Sequence, residues 1–387
     1  MPNISTLAGA DLKALAQELD KLLAEYSTKP SVVFESEESR LAWVFSGPKR
    51  RKRAWEQSRP CMFPHCKTLA VTRSHTIPRA ALALIAEDGH VLTPKFNEVR
   101  MRLEMQRIGI NQASTFPGFC SGHEQIFQCF EKKVELQEDS SLHAALQVFR
   151  ILFQEIVITE YGLASLKQTV EKHRAQVDGW GRRKLERFMR GRGLAPVKEF
   201  AISGVGPLAR AEQTIADQVA HLERLRSQAL EPFLAGFRSG VVRGTLLQHL
   251  VPGCLPLALA GHTDFRYMAR GASTIDNVLV VMGLHPCSNG SFLMVWTPFE
   301  NGGAAIDDYL RMYSANASES AGILHMIEAW MLSGSDHWYM TPSAWSSLSA
   351  SERDSALGAI SDVEHGIGNP WPPGALSRIL LAWSQAR

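Results

Sequence analysis

Two pairs of soft metal ligands, Cys61-Met-Phe-Pro-His-Cys66 and Cys120-Ser-Gly-His123, constrain this chain more than any other feature. Within each pair one turn can aim both side chains at a single point, and tetrahedral zinc takes four such ligands. The segment between the pairs must therefore fold back on itself. It is rich in Cys, His, Pro and Gly with short apolar runs such as Leu69 to Val71, the texture of a small module of hairpins and loops over residues 58–135. The expectation is a structural Zn2+ held by Cys61, Cys66, Cys120 and His123. His65 is a competing ligand beside Cys66, and buried free thiols are the other explanation for the cysteines. The N-terminus has no basic start followed by an apolar core, so a reducing, cytoplasmic localisation without disulfides is expected.

Between the pairs stands Arg73-Ser74-His75-Thr76-Ile77-Pro78. A knuckle, a histidine at a strand end, and a second knuckle opening a helix resemble the HNH endonucleases of the ββα-metal, treble-clef type, over about residues 58–131. The resemblance implies metal-dependent hydrolysis of a phosphodiester. His75 would activate water, Asn111 with Asn97 behind it would orient that water, and Glu124 would hold a catalytic Mg2+ or Mn2+. Such chemistry needs a base that titrates near neutrality and a cation on the phosphate. The chain departs from the family's pattern at Ser74, where an acid or histidine is usual, and in the four-residue gap of the first knuckle. Glu98 to Gly109 reads as a helical insertion. A second assignment of the same residues gives His123 to the catalytic set and leaves three cysteines for zinc, and His75 itself can be read as a strand-end histidine bonded to backbone.

The length of 387 residues suffices for two or three domains, and 45% hydrophobic against 21% charged residues excludes disorder and low-complexity architectures. The expected class is α+β: a small zinc-bound treble-clef or ββα module, a helical middle section and an α+β C-terminal domain. The boundaries are 1–57, 58–135, 136–240 and 241–387. Leu12, Leu15, Leu19, Leu22, Leu23 and Tyr26 recur at helical spacing; Leu142, Leu146, Phe149, Ile151, Leu152, Ile156 and Val157 predict a long buried helix over 140–172; a third helical run covers 209–237. Val278 to Leu284 and Phe292 to Thr297 are β-rich runs around Pro286, Asn289 and Gly290, and helices follow near 305–314 and 320–332. The uncharged stretch 277–299 is long enough to raise a membrane question, but its central His, Pro, Asn and Gly favour two strands and a turn, so no membrane is expected.

A formal net charge of +2 is too small to make the whole surface a polyanion receptor. Two local runs stand out. Lys49, Arg50, Arg51, Lys52 and Arg53 precede the zinc module, with Trp55 placed to stack on a base; Arg182, Arg183 and Lys184 open a second run to Arg192, bracketed by glycines and read as a loop or short helix. Both are candidate nucleic-acid contacts, DNA in preference to RNA. Cys254, Cys287, His262, His285, His325 and Asp336 carry no local hydrolase motif. The first functional expectation is an HNH-like nuclease or nucleic-acid-binding protein, in a setting such as bacterial phage defence. The alternative is a non-catalytic treble-clef zinc protein that serves as a binding or assembly platform, with a protein partner or a homodimer through the long helix.

Overall fold

In the computed structural model the described residues are 9–36, 38–39, 55, 59–71, 73–97, 100, 102–131, 140–195, 200–204, 206–238, 243–267, 276–299, 302–314, 319–335, 337–361, 376 and 380. The basic segment Lys49 to Arg53 lies outside them. The chain is mixed α+β. In order, its elements are α1 (Gly9–Thr28), β1 (Ser74–His75), α2 (Arg79–Ile85), β2 (His90–Asn97), β3 (Arg102–Gly109), β4 (Thr115–Phe116), α3 (Ser121–Glu124), α4 (Gln128–Glu131), α5 (Ser141–Gly191) and α6 (Gly206–Arg224). Then come α7 (Glu231–Arg238), β5 (Thr245–Pro252), β6 (Leu257–Tyr267), β7 (Asp276–Cys287), β8 (Gly290–Thr297), α8 (Gly302–Ser314), α9 (Glu319–Ala329), β9 (Trp338–Met340), α10 (Pro342–Ser346) and α11 (Ala350–Ser361).

These elements form two compact units, residues 1–55 with 159–223 and residues 56–158 with 224–387, which cut across the four consecutive segments read from the sequence. The first unit is helical. Leu22 and Tyr26 of α1, Val170, Val177 and Trp180 of α5, and Leu208 of α6 make its core. The Tyr26 hydroxyl meets His173 Nε2 at 3.0 Å. Residues 180–191, expected as a loop or short helix, continue α5 without a break. Gly181 is there for space: a Cβ would stand 2.4 Å from the Phe200 ring. The helix ends where Gly193 adopts φ +67° and the Leu194 amide donates to Met189 O at 2.9 Å, the left-handed termination that glycine favours.

The second unit is built on a seven-stranded sheet in the order β3-β2-β9-β6-β7-β8-β5, antiparallel at every pair. Alternate residues of β7 serve opposite faces. Val280, Met282 and Leu284 join Leu324, Ile327 and Trp330 in one core, and on the other face a Cβ at Gly283 would lie 3.3 Å from Ile151 of α5. Cover on both faces explains why β8 is buried at every position, with Phe292 to Trp296 an unbroken apolar run. The expected hairpin over 278–297 is this β7–β8 pair, so the uncharged stretch 277–299 contains two strands and the turn between them. Among the described residues one helix, α5, is long and apolar enough to cross a membrane, and its apolar window is mostly buried inside the protein. The expected helical insertion over Glu98 to Gly109 is corrected: Arg102–Gly109 is strand β3, pairing with β2 from Asn97↔Arg102 to His90↔Gly109. Leu103 and Met105 alternate with Arg102, Glu104 and Gln106, the period of a strand.

A candidate metal centre and the buried charge cluster beside it

The two knuckles are held together by backbone bonds that their sequence makes available. In the first, Cys61 N donates to Thr68 O and Ala70 N to Arg59 O, both at 2.8 Å, while Cys66 N donates to Phe63 O at 3.0 Å. His65 takes up the fourth residue of the gap at φ +65°, and its side chain is exposed. Met62 N donates to Gly118 O at 2.9 Å and Val71 N to Phe119 O at 2.7 Å, which docks the first knuckle on the second. Gly118 admits no side chain, because a Cβ would lie 2.3 Å from the Phe116 ring. Cys120 then precedes α3, whose first turn carries His123.

The ligand atoms of Cys61, Cys66, Cys120 and His123 all lie within 4.8 Å of one another. Bond lengths of about 2.3 Å to sulfur and 2.0–2.1 Å to nitrogen give a tetrahedral zinc site edges of about 3.8 Å between sulfurs and about 3.5 Å from sulfur to nitrogen. Here Cys66 Sγ to Cys120 Sγ is 3.9 Å, and His123 Nδ1 stands 3.4 Å from Cys61 Sγ and 3.3 Å from Cys120 Sγ. This Cys3His set fits a metal ion such as zinc. Phe63 stacks on the His123 ring at 3.9 Å and 11°, which sets the plane of the imidazole. Burial pushes the Cys61 thiol up to about 11, against the pull of the Cys120 and Phe63 backbone amides. The Cys66 thiol is lowered, mainly by the Thr68 backbone. Cys129 stands outside the cluster, its thiol directed to Ile126 O at 3.5 Å.

His75 ends β1, which pairs with β4 through Ser74↔Phe116 and His75↔Thr115. Ser74 is fully buried, its Oγ accepting from Phe119 N at 3.1 Å, so this serine ties β1 to the second knuckle. The His75 ring lies between two acceptors, Nε2 3.4 Å from Ile110 O and Nδ1 3.6 Å from Glu131 Oε1. Burial lowers its pKa; the Glu131 charge opposes this, and Arg150 adds to it. Asn111 is exposed in the turn after β3, and among the described residues its side chain has no hydrogen-bond partner. Asn97 is at the far end of the β2–β3 hairpin, donating to Glu104 Oε2 at 2.7 Å.

Glu124 and His75 share a neighbour that the sequence reading missed. Arg150, with no exposed surface, donates from Nη1 to Glu131 Oε2 at 2.6 Å and from Nη2 to Glu124 Oε2 at 3.0 Å. Its guanidinium also lies 4.4 Å from the centre of the Phe127 ring. Burial raises the Glu124 pKa, opposed by Arg150. One turn earlier on α5, Gln147 donates to Thr76 O at 2.6 Å. Phe119, Phe127, Phe149 and Phe153 pack these elements together, with ring centres 4.6–6.3 Å apart. Deeper in the unit, His337 lies 2.9 Å from Ser114 Oγ, and Glu155 holds His262 Nδ1 at 2.8 Å.

The second predicted basic run lies on the exposed stretch of α5. Arg182 and Arg183 face solvent, whereas Lys184 donates to Glu25 at 2.6 Å. Trp55, the residue placed to stack on a base, sets its ring edge-on to Tyr161 at 5.1 Å. Compared with protein-family models, curated proteins and solved structures, the chain matches none.

Proposed function

We propose that residues 58–131 are a zinc-supported, treble-clef-like module that serves this protein as a binding or assembly platform and does not cleave phosphodiesters. The Cys3His geometry supports zinc as the ion. The observation that carries the non-catalytic reading is Arg150. Its buried positive charge spans two carboxylates, Glu124 and Glu131, the second of which faces His75. A buried guanidinium keeps its charge and needs its anions. A divalent cation on the same carboxylates would sit against that fixed charge, so the residues present do not fit the magnesium or manganese of the resembled nucleases. Ser74, bonded to the second knuckle, supplies no replacement ligand.

Elemental analysis of the purified chain together with a plasmid-nicking assay in magnesium and manganese tests this reading. The expected outcome is one zinc per chain and no cation-dependent nicking. Nicking that disappears in His75→Ala would overturn it and install the second reading, a metal-dependent HNH-like nuclease. That reading draws its support from Glu131, which stands beside His75 as an orienting carboxylate would.

A further inference from the structure

The exposed stretch of α5 has a face whose arginines, among the described residues, make one exposed ion pair, Arg183 with Glu35, and one bond along the helix, Arg187 Nε to Arg183 O at 3.3 Å. Arg182, Arg183, Arg187 and Arg190 are all exposed. At 100° per residue they fall within an arc of about 140°. Glu186 is the carboxylate that falls among them, so five ionisable side chains leave this face a net +3. Nearby cations are committed elsewhere: Lys184 pairs with Glu25 at 2.6 Å and Arg192 with Asp11 at 3.3 Å, and each lies over a ring, Trp180 and Phe188. Among the described residues no carboxylate comes within ion-pair distance of Arg182, Arg187 or Arg190, and Arg183 reaches only the exposed Glu35 at 3.6 Å. The acids of α1 thus neutralise one side of α5 and leave the other positive.

We propose that this arginine face, Arg182, Arg183, Arg187 and Arg190, is a docking surface for the phosphate backbone of duplex DNA. Like-charged groups held on one rigid helix repel one another unless a polyanion meets them. From Arg182 to Arg190 the helix rises about 12 Å, over which a duplex presents about seven phosphate charges. All four cations are arginines, whose planar fork binds phosphate oxygens in pairs. An amphipathic helix lying on a lipid surface needs an apolar face beside its basic one. The apolar neighbours here, Leu185 and Met189, are buried in the protein, which favours nucleic acid over membrane. The face has no exposed aromatic to read a base, so contact is expected to be independent of sequence. The inference does not depend on the platform reading of the zinc module.

The test is fluorescence anisotropy of a labelled 20-base-pair duplex with the full chain, from 50 to 200 mM salt. It compares the natural protein with a variant carrying Arg182→Gln, Arg183→Gln, Arg187→Gln and Arg190→Gln. Glutamine keeps helix propensity, and circular dichroism with thermal melting checks that the fold is retained. Each phosphate contact contributes about 0.9 to the slope of log K against log salt, so the variant's slope is expected to be shallower by about 3 to 4. Its affinity at 50 mM salt should fall at least tenfold. Lys184→Gln with Arg192→Gln should leave the slope unchanged. An equal slope in the fourfold variant overturns the proposal, as does absence of duplex binding by the natural protein. Competition by phosphatidylserine vesicles that displaces the duplex from these arginines assigns the face to membranes and equally overturns it.

Discussion

Arg150 and Glu131, 19 positions apart in the chain, form a 2.6 Å charged hydrogen bond in which the arginine is wholly buried and the carboxylate also faces His75. Removing one partner of a buried ion pair leaves the other charge without compensation, at a typical cost of about 3–5 kcal/mol. Arg150→Met should destabilise the protein by that order in chemical denaturation. Adding Glu124→Gln and Glu131→Gln should recover most of the loss, because the desolvated charges are then gone. Equal stability of the single and triple variants would show that the cluster contributes through packing against Phe127 alone.

Metal removal is expected to loosen the module before the sheet. Residues 59–71 are tied to the second knuckle by the Met62 N to Gly118 O and Val71 N to Phe119 O bonds and by the candidate ligands, so a strong chelator should lower the melting temperature and expose this segment to protease. Cys120→Ser should abolish metal binding outright, since Cys120 is within 4 Å of both Cys66 and His123. His65→Ala should leave metal content at one per chain, its side chain being exposed and outside the cluster.

Gly118 gives a narrower probe of the same link. An alanine there would place Cβ 2.3 Å from the Phe116 ring, which is itself fully buried and set edge-on to Phe119 at 5.9 Å. The strain should amount to about 1–3 kcal/mol and weaken metal retention, because Gly118 O also accepts from Met62 beside Cys61. Gly162→Ala is the control. It sits exposed within α5 with no atom within 4 Å of the added methyl, and should stabilise by up to about 1 kcal/mol.

The Cys3His cluster was legible because its four residues stand in two local pairs, each closed by one turn. The β7–β8 hairpin was legible from Pro286, Asn289 and Gly290 interrupting two apolar runs. The cluster around His75 was not, since Arg150 lies within an apolar helix and its partners come from 19 and 26 positions upstream. A charged residue in the middle of a buried helical run was the available signal: such a charge must find an anion. Glu124 was singled out from the sequence as a cation ligand, and in the structure its Oε2 accepts from Arg150. Sheet order was beyond reach for a related reason. The three residues of β9 join β2 to β6 through Leu92↔Met340 and Leu257↔Met340, and nothing local to Trp338-Tyr339-Met340 encodes a partner some 250 positions away.

Buried histidines should govern the acid stability of the sheet unit. His285 is fully buried on β7, neither ring nitrogen has a hydrogen-bond partner among the described residues, and burial holds its pKa at about 3, with Arg150 adding to the effect. His337 is held at about 4, mainly by burial, with Glu155 opposing. An unfolded histidine titrates near 6.5, so between that pH and the folded values the unfolded chain binds protons that the folded chain refuses. Stability therefore falls as pH drops below about 6.5, by up to about 1.4 kcal/mol per pH unit for each histidine. His262 runs the other way: burial lowers its pKa, but the Glu155 and Asp264 charges more than offset this and leave it raised. Its contribution is fully present below about 6.5 and is lost as pH rises through the folded value. His285→Met should flatten the acid limb of a stability-against-pH curve and raise stability at neutral pH. His262→Gln should cost more at pH 6 than at pH 9. Urea titrations of the three proteins across pH 5 to 9 separate the effects, and an unchanged acid limb in His285→Met would show that this histidine binds its proton in the folded state.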